Sequence, residues 1–283
     1  MDDLVISIFI TIDDFLQAER IEEPKNVTVY NSEILTTAIV AAKFFGNNFV
    51  MAMSYMKQHF IPAMLSKSQF IRRIYRLKKY LTRILDFIYN DRYIDVSDIE
   101  DKKEVYIVDS FPVKICENAR KNRCRLTKGY NKKYLGYIAS KKEYVYGLKV
   151  SVLTTLQGLP VDVIIADASE HDIKIFDKHE MSLFSRSKIY ADKAYNSRDL
   201  EDELFRNYDV ELLPIRKNNY KQEIDEQAEA LKYKRRKRIE TTFSEIQFRF
   251  PKFLHCVKLD GLILKLFLAI VATALKLSGI TPI

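Results

Sequence analysis

Tyr106-Ile107-Val108-Asp109-Ser110 and Ile189-Tyr190-Ala191-Asp192-Lys193 decide how this chain of 283 residues folds, because each is a short apolar run that ends on an aspartate. Short runs rich in Val, Ile and Tyr are strand material. A carboxylate at the end of a buried strand is presented at an edge of a sheet, whereas one in mid-strand would be buried without a partner. A third acid follows downstream. Tyr233, Arg236, Glu240 and Gln247 stand in the spacing Tyr-x2-Arg-x3-Glu-x6-Gln within a strongly basic segment. Three such carboxylates, Asp109, Asp192 and Glu240, can hold divalent metal.

Around these two runs the pattern alternates in the manner of a sheet. Strands are predicted over Val105 to Val108, Tyr144 to Thr154, Leu159 to Ala166, Lys188 to Ala191 and Val210 to Ile215, with Gly158 turning the second into the third. Helix-like runs lie between the third and fourth, over Ser197 to Tyr208, and after about Gln227. The order β-β-β-α-β-α-β-α predicts an α/β, ribonuclease-H-like mixed five-stranded sheet flanked by helices, with the first and fourth strands side by side. Asp109 and Asp192 then share one sheet edge and a helix carrying Glu240 closes over them. Before the sheet, from Leu4 to roughly Ile94, apolar residues recur at helical spacing and predict an all-helical N-terminal domain. The expected domains are 1–100, helical, and 101–283, catalytic.

The chemistry that hard oxygens support is phosphodiester cleavage. Two Mg2+ or Mn2+ ions bound by aspartates and a glutamate can activate a water or hydroxyl on one side of the phosphorus and stabilise the leaving oxygen on the other. Arg236 and Tyr233 fall on the helical face of Glu240; the first can fork onto a phosphate and the second can hydrogen-bond or stack. With Lys193, Lys237 and Arg238 they form the candidate DNA-contacting set. Plainer roles remain open: Asp109 can cap a turn, Asp192 can cap the next helix or pair with Lys193, and Glu240 can pair with Arg236. His171-Asp172 can position substrate or simply cap a helix.

Composition narrows the classes. The net charge of +8 points to a polyanionic partner and is concentrated: Lys114 to Lys149 holds eleven Lys or Arg against two acids, Arg216 to Arg238 nine against four, while Asp91 to Glu104 is acidic. Ser66 caps a basic run containing Arg72, Arg73, Arg76, Lys78 and Lys79, either a groove-entering element or a wet helix face. Seven Gly and seven Pro are too few for long linkers. Cys116, Cys124 and Cys256 are odd in number and sparse, which fits a reducing compartment and no disulfide framework. No Cys-x2-Cys spacing supports zinc through the His255-Cys256 pair, and His59, His171, His179 and His255 are scattered. Leu4 to Ile12 follows two aspartates and does not read as a signal peptide, and Leu262 to Leu277 is too short and carries Lys265 and Lys276, so both are expected to be buried helices and not membrane spans.

Val108-Asp109-Ser110-Phe111-Pro112-Val113, Tyr146-Gly147-Leu148-Lys149-Val150, Ser169-Glu170-His171-Asp172, Ala191-Asp192-Lys193-Ala194-Tyr195-Asn196 and Arg238-Ile239-Glu240-Thr241-Thr242-Phe243-Ser244 together resemble the DDE-type transposases of bacterial insertion sequences, most closely insertion sequence family 982. The resemblance covers about Val105 to Leu277. It implies a nuclease that cuts at the ends of its own mobile element and joins the freed 3′ hydroxyl to target DNA, with Asp109, Asp192 and Glu240 matching the catalytic triad. Tyr233 and Arg236 match the Tyr and Arg of a Tyr-Arg-Glu-Lys signature, while Gln247 stands where that signature has Lys. The implied partners are double-stranded DNA, both element ends and target, and a second protomer. The implied setting is the cytoplasm, at the bacterial nucleoid.

Overall fold

The computed structural model describes residues 1–92, 99–100, 103–216, 225–250 and 256–280. In chain order the elements are helices α1 (Asp2–Ala18), α2 (Asn31–Phe44), α3 (Phe49–His59), α4 (Lys67–Leu77) and α5 (Leu81–Phe87). Strands β1 (Ile99–Glu100), β2 (Lys103–Lys114), β3 (Leu135–Ile138), β4 (Glu143–Thr155) and β5 (Pro160–Asp167) follow. Then come α6 (Asp172–Phe176), β6 (Ser187–Ala191), α7 (Arg198–Tyr208), β7 (Glu211–Pro214), α8 (Glu226–Phe248) and α9 (Leu259–Leu277). The chain forms two compact units, Met1–Ile94 with Ser244–Ile283, and Asp95–Phe243. Division at residue 100 leaves the last forty residues with the sheet; in the structure they belong with the N-terminal helices. His255, residues 217–224 of the second basic block, and residues 93–98 and 101–102 of the acidic segment lie outside the described residues.

The sheet unit has the ribonuclease-H-like order. β4 pairs antiparallel with β2 on one side and β5 on the other, β2 pairs parallel with β6, and β6 pairs parallel with β7. All five expected strands are present in the expected order. Two further strands are short: β1 lies antiparallel on β2, and β3 pairs with the start of β4. Gly158 turns β4 into β5 at φ +87, a backbone conformation that L side chains rarely adopt. Gly147 has another reason: a Cβ there would stand 2.0 Å from the Val113 carbonyl oxygen, so only glycine lets β2 and β4 approach.

One expectation fails on strand length. Asp109 does not end its strand; β2 runs on to Lys114, paired with β4 from Ser110↔Ser151 to Lys114↔Gly147. The parallel partner stops first, since β2 and β6 are in register only up to Val108↔Ala191. Pro112, which lacks an N–H and reads as a strand breaker, is tolerated because β2 has by then become an edge on its β6 side.

In the helical unit, α9 is buried on every face from Leu268 to Leu275, and α2 is nearly as enclosed. That burial explains their all-round apolar sequence. α1 buries a single stripe, Val5, Ile8, Ile12, Phe15 and Leu16. Among the described residues no single helix is long and apolar enough to cross a membrane. Ser66 caps α4 through Gln69, as its sequence indicates. Not all of the basic run is available to a ligand: Arg73 donates to the Val29 carbonyl at 2.7 Å and to Asn31 Oδ1 at 2.6 Å, and Lys78 pairs with Asp260. Arg72, Arg76 and Lys79 remain exposed.

Candidate active site

The parallel register places Asp109 and Asp192 each one residue beyond the last β2–β6 pair, side by side at the carboxyl end of those paired segments. Past Asp192 the chain leaves the sheet in a 3-10 turn, Lys193–Tyr195, which opens space next to Asp109. Into that space reaches Arg236 of α8. Its Nη2 donates to Asp109 Oδ2 at 2.7 Å, and its Nη1 stands 3.9 Å from Asp192 Oδ1.

α8 is held in register by the β4–β5 turn. Thr242 Oγ1 donates to the Gly158 carbonyl at 2.8 Å, Arg238 Nε donates to the Gln157 carbonyl at 2.8 Å, and the Phe243 ring meets Phe111 at 4.6 Å between centroids. Ile239, Thr242 and Phe243 form the buried face of this part of the helix. These contacts fix the rotation of α8 and with it the direction of Arg236, one turn before Glu240.

Electrostatics follow from unequal burial. The Asp109 side chain is 13% exposed and that of Asp192 37%. Burial raises the Asp109 carboxyl above its usual range, against the pull of the Arg236 charge and hydrogen bonds from Arg236 and the Ser110 amide. Burial by itself would lower the Arg236 guanidinium, but the charges of Asp109, Asp192 and Glu240 outweigh it and raise it further. The two groups form a charge-assisted pair whose strength depends on exclusion from water.

Glu240 is exposed on α8, and among the described residues no three His, Cys, Asp or Glu side chains gather closely enough to hold a metal ion. The structure therefore brings two of the three expected carboxylates together and leaves the third on the neighbouring helix turn. Asp109 and Asp192 nevertheless suit a divalent cation: both are hard-oxygen donors, and the guanidinium drawn between them marks a position that attracts positive charge. Of the two acids that Arg236 could pair with, its hydrogen bond goes to Asp109, while Glu240 acts on it through charge.

Asp172 starts α6 without capping it, and its oxygens are turned to the sheet: Ser110 Oγ donates to Oδ1 at 2.5 Å and Lys149 Nζ to Oδ2 at 3.3 Å. Lys149 also donates to the Glu170 carbonyl at 2.8 Å. A half-buried lysine and acid thus tether the loop before α6 to the strand residue beside Asp109. Ser110 and Lys149 were not singled out from sequence as site residues, although both lie in motifs that were.

Of the residues expected from sequence to contact DNA, Tyr233, Lys237 and Arg238 are exposed and Lys193 is half-buried. Part of the basic segment is spent internally: Arg216 forks onto Glu201 at 2.6 and 2.7 Å, Lys232 pairs with Glu229, and Arg235 with Glu100. Gln247 is exposed in the last turn of α8.

A second constellation has the geometry of a nucleophilic triad. Ser151 Oγ lies 3.0 Å from His179 Nε2, and His179 Nδ1 lies 2.6 Å from Asp162 Oδ2. Ser151 is fully buried in β4 and His179 is 3% exposed. No substrate reaches that hydroxyl, so the chain of bonds is a brace between β4, β5 and the segment after α6. The three cysteines are free.

A family model described as Transposase DDE domain matches residues 100–275, well over half of the chain. No curated protein and no solved structure matches it. The match begins at β1, takes in both sheet aspartates and the whole of α8, and ends in α9. The chain belongs to the transposase DDE domain family.

Proposed function

We propose that this protein is an insertion-sequence transposase that cleaves phosphodiester bonds at its element's ends and joins the 3′ hydroxyl to target DNA. The observation that carries the reading is the pairing of Asp109 and Asp192 at the end of the parallel β2–β6 register, with a cation from α8 between them. Asp109, Asp192 and Glu240 are the residues that would hold the metal, Mg2+ or Mn2+ as two ions. When bound, such ions supply a nucleophile at neutral pH and charge neutralisation for the leaving oxygen. The Asp172–Ser110 bond and the Lys149 pair fix the backbone that carries Asp109. Arg236 forks onto a phosphate, Tyr233 stacks or hydrogen-bonds, and Lys193, Lys237 and Arg238 neutralise neighbouring phosphates.

Double-stranded DNA, as element end and as target, is the partner this surface fits, and joining two ends requires a second protomer. The helical unit, with Arg72, Arg76 and Lys79 exposed on α4, is the place proposed for end recognition or subunit contact. A cytoplasmic, nucleoid-associated setting accords with free cysteines and a DNA substrate, and insertion sequence family 982 is the subgroup whose motifs the chain most resembles.

Strand transfer is the discriminating assay. A labelled element-end duplex with a free 3′ hydroxyl, incubated with plasmid and Mg2+, is expected to become joined to the plasmid. Cleavage without joining would indicate a structure-specific nuclease on the same fold, and binding without cleavage a catalytically silent DNA-binding descendant. Replacing Asp109, Asp192 or Glu240 by Ala is expected to abolish cleavage while leaving DNA binding largely intact.

A further inference from the structure

We infer that Arg236 is the residue that sets how tightly the Asp109–Asp192 pair takes a divalent cation, holding the pair as an internal counter-ion until a DNA phosphate draws the guanidinium away. The inference rests on the proposed role of those two carboxylates. The guanidinium bridges them, hydrogen-bonded to one at 2.7 Å and within 3.9 Å of the other. A cation entering between the same oxygens must displace it, because the ion and the N–H donor compete for the same oxygen lone pairs on Asp109.

The bridge is also incomplete as a resting place. Arg236 Nε is buried with no hydrogen-bond partner, although a guanidinium has five N–H donors to satisfy. An unsatisfied buried donor costs on the order of 1–3 kcal/mol, so the bridging state is held by Asp109 and weakened by Nε. A phosphate offers what Asp109 does not, a second oxygen placed for the fork. Phosphate and metal then act in concert: the first removes the competitor, the second takes the vacated oxygens. Such coupling is reciprocal, so each ligand tightens the other's binding by the same factor.

The test is Mn2+ affinity of the full-length protein, measured by calorimetry and by the loss of free Mn2+ electron-spin signal, with and without generic duplex DNA at low salt. In the unaltered protein, saturating duplex is expected to tighten Mn2+ binding about tenfold, within the usual range of site-to-site coupling. Arg236→Gln is expected to bind Mn2+ about tenfold more tightly without DNA and to lose most of the gain on adding it. Arg236→Lys, which keeps the charge but not the fork, is expected to stay near the unaltered affinity without DNA. An Arg236→Gln affinity equal to or weaker than the original, or an undiminished gain from duplex, would overturn the inference. Asp109→Asn separates the two levels: if it binds Mn2+ as well as the original protein, the assignment of the carboxylates fails. If it loses Mn2+ while Arg236→Gln gains nothing, only the role of Arg236 fails. Should Arg236→Gln not fold, the Nε–Hε resonance of Arg236 in the unaltered protein, assigned against Arg236→Lys, decides the matter. It is expected to shift on adding duplex before any metal, and a resonance indifferent to both ligands counts against the role.

Discussion

Gly158 joins two requirements at a single residue. Its φ of +87 suits glycine, and a Cβ there would lie 2.5 Å from Thr242 Oγ1, the atom that ties α8 to the turn. Gly158→Ala is therefore expected to lower stability by about 2 kcal/mol, combining left-handed strain with overpacking. Chemical denaturation measures it, and a loss within a few tenths would mean the turn adapts freely. Thr242→Val keeps the shape but leaves the Gly158 carbonyl without its donor, at a cost of about 1–2 kcal/mol. Both changes are also expected to slow DNA cleavage, because the turn fixes the direction of Arg236 and Glu240. At this scale the sequence was partly readable. Asp192 falls at the strand end where its apolar run put it and Arg236 on the helix that its spacing indicates, whereas Asp109 lies inside β2 and Glu240 is exposed on α8. The partner Arg236 selects was not legible, because choosing between Asp109 and Glu240 depends on how α8 is rotated, which the turn at Gly158 decides. Ser151, His179 and Asp162 were not read as a set for a related reason: their bonds tie β4 and β5 to a residue in the segment after α6, which no local pattern places against that hairpin.

At the scale of elements, strand identity followed from alternation and order, and the extension of β2 past Asp109 was missed because the apolar run ends there while pairing continues along β4. α9 was legible as buried but not as a partner of the N-terminal helices, since an all-round apolar pattern names no neighbour. Two titrating groups report on its packing. Glu245 is held below its ordinary 4.5 first by its hydrogen bond from Lys276 on α9 and then by Arg249, at 2.8 and 3.2 Å. Its contribution to stability is complete above that ordinary value and is lost as pH falls through the lowered one. Lys276→Met is expected to flatten the acid limb of the melting profile. Lys43 runs the other way: burial first, then the Arg249 and Lys276 charges, lower it from 10.5 to about 8. Below about 8 the full cost of its charge is present, and stability is regained as pH rises from there toward 10.5. Lys43→Met is expected to stabilise the protein at neutral pH and to remove that alkaline gain, as thermal melts at a series of pH values will show.

For the whole molecule, the division of the chain and the reach of the family match fall in different places. Residues 100–275 match the transposase domain, yet the part from Ser244 onward packs with Met1–Ile94. Deleting Leu259–Ile283 is accordingly expected to expose the apolar surfaces of α2 and α5, seen as dye binding and loss of a cooperative melt, while a deletion with neither effect would show that α9 is dispensable there. The net charge of +8 overstates the surface offered to DNA, because Arg73, Arg216, Lys232, Arg235 and Arg236 are engaged internally. The central claim is narrower than charge: Asp109 and Asp192, joined by Glu240, take a divalent ion beside DNA. Anomalous diffraction from crystals grown with Mn2+ and element-end DNA tests it most directly. The account predicts Mn2+ peaks about 2 Å from oxygens of all three carboxylates, with the Arg236 guanidinium moved onto a phosphate. Peaks elsewhere, with Arg236 still bonded to Asp109, would contradict it.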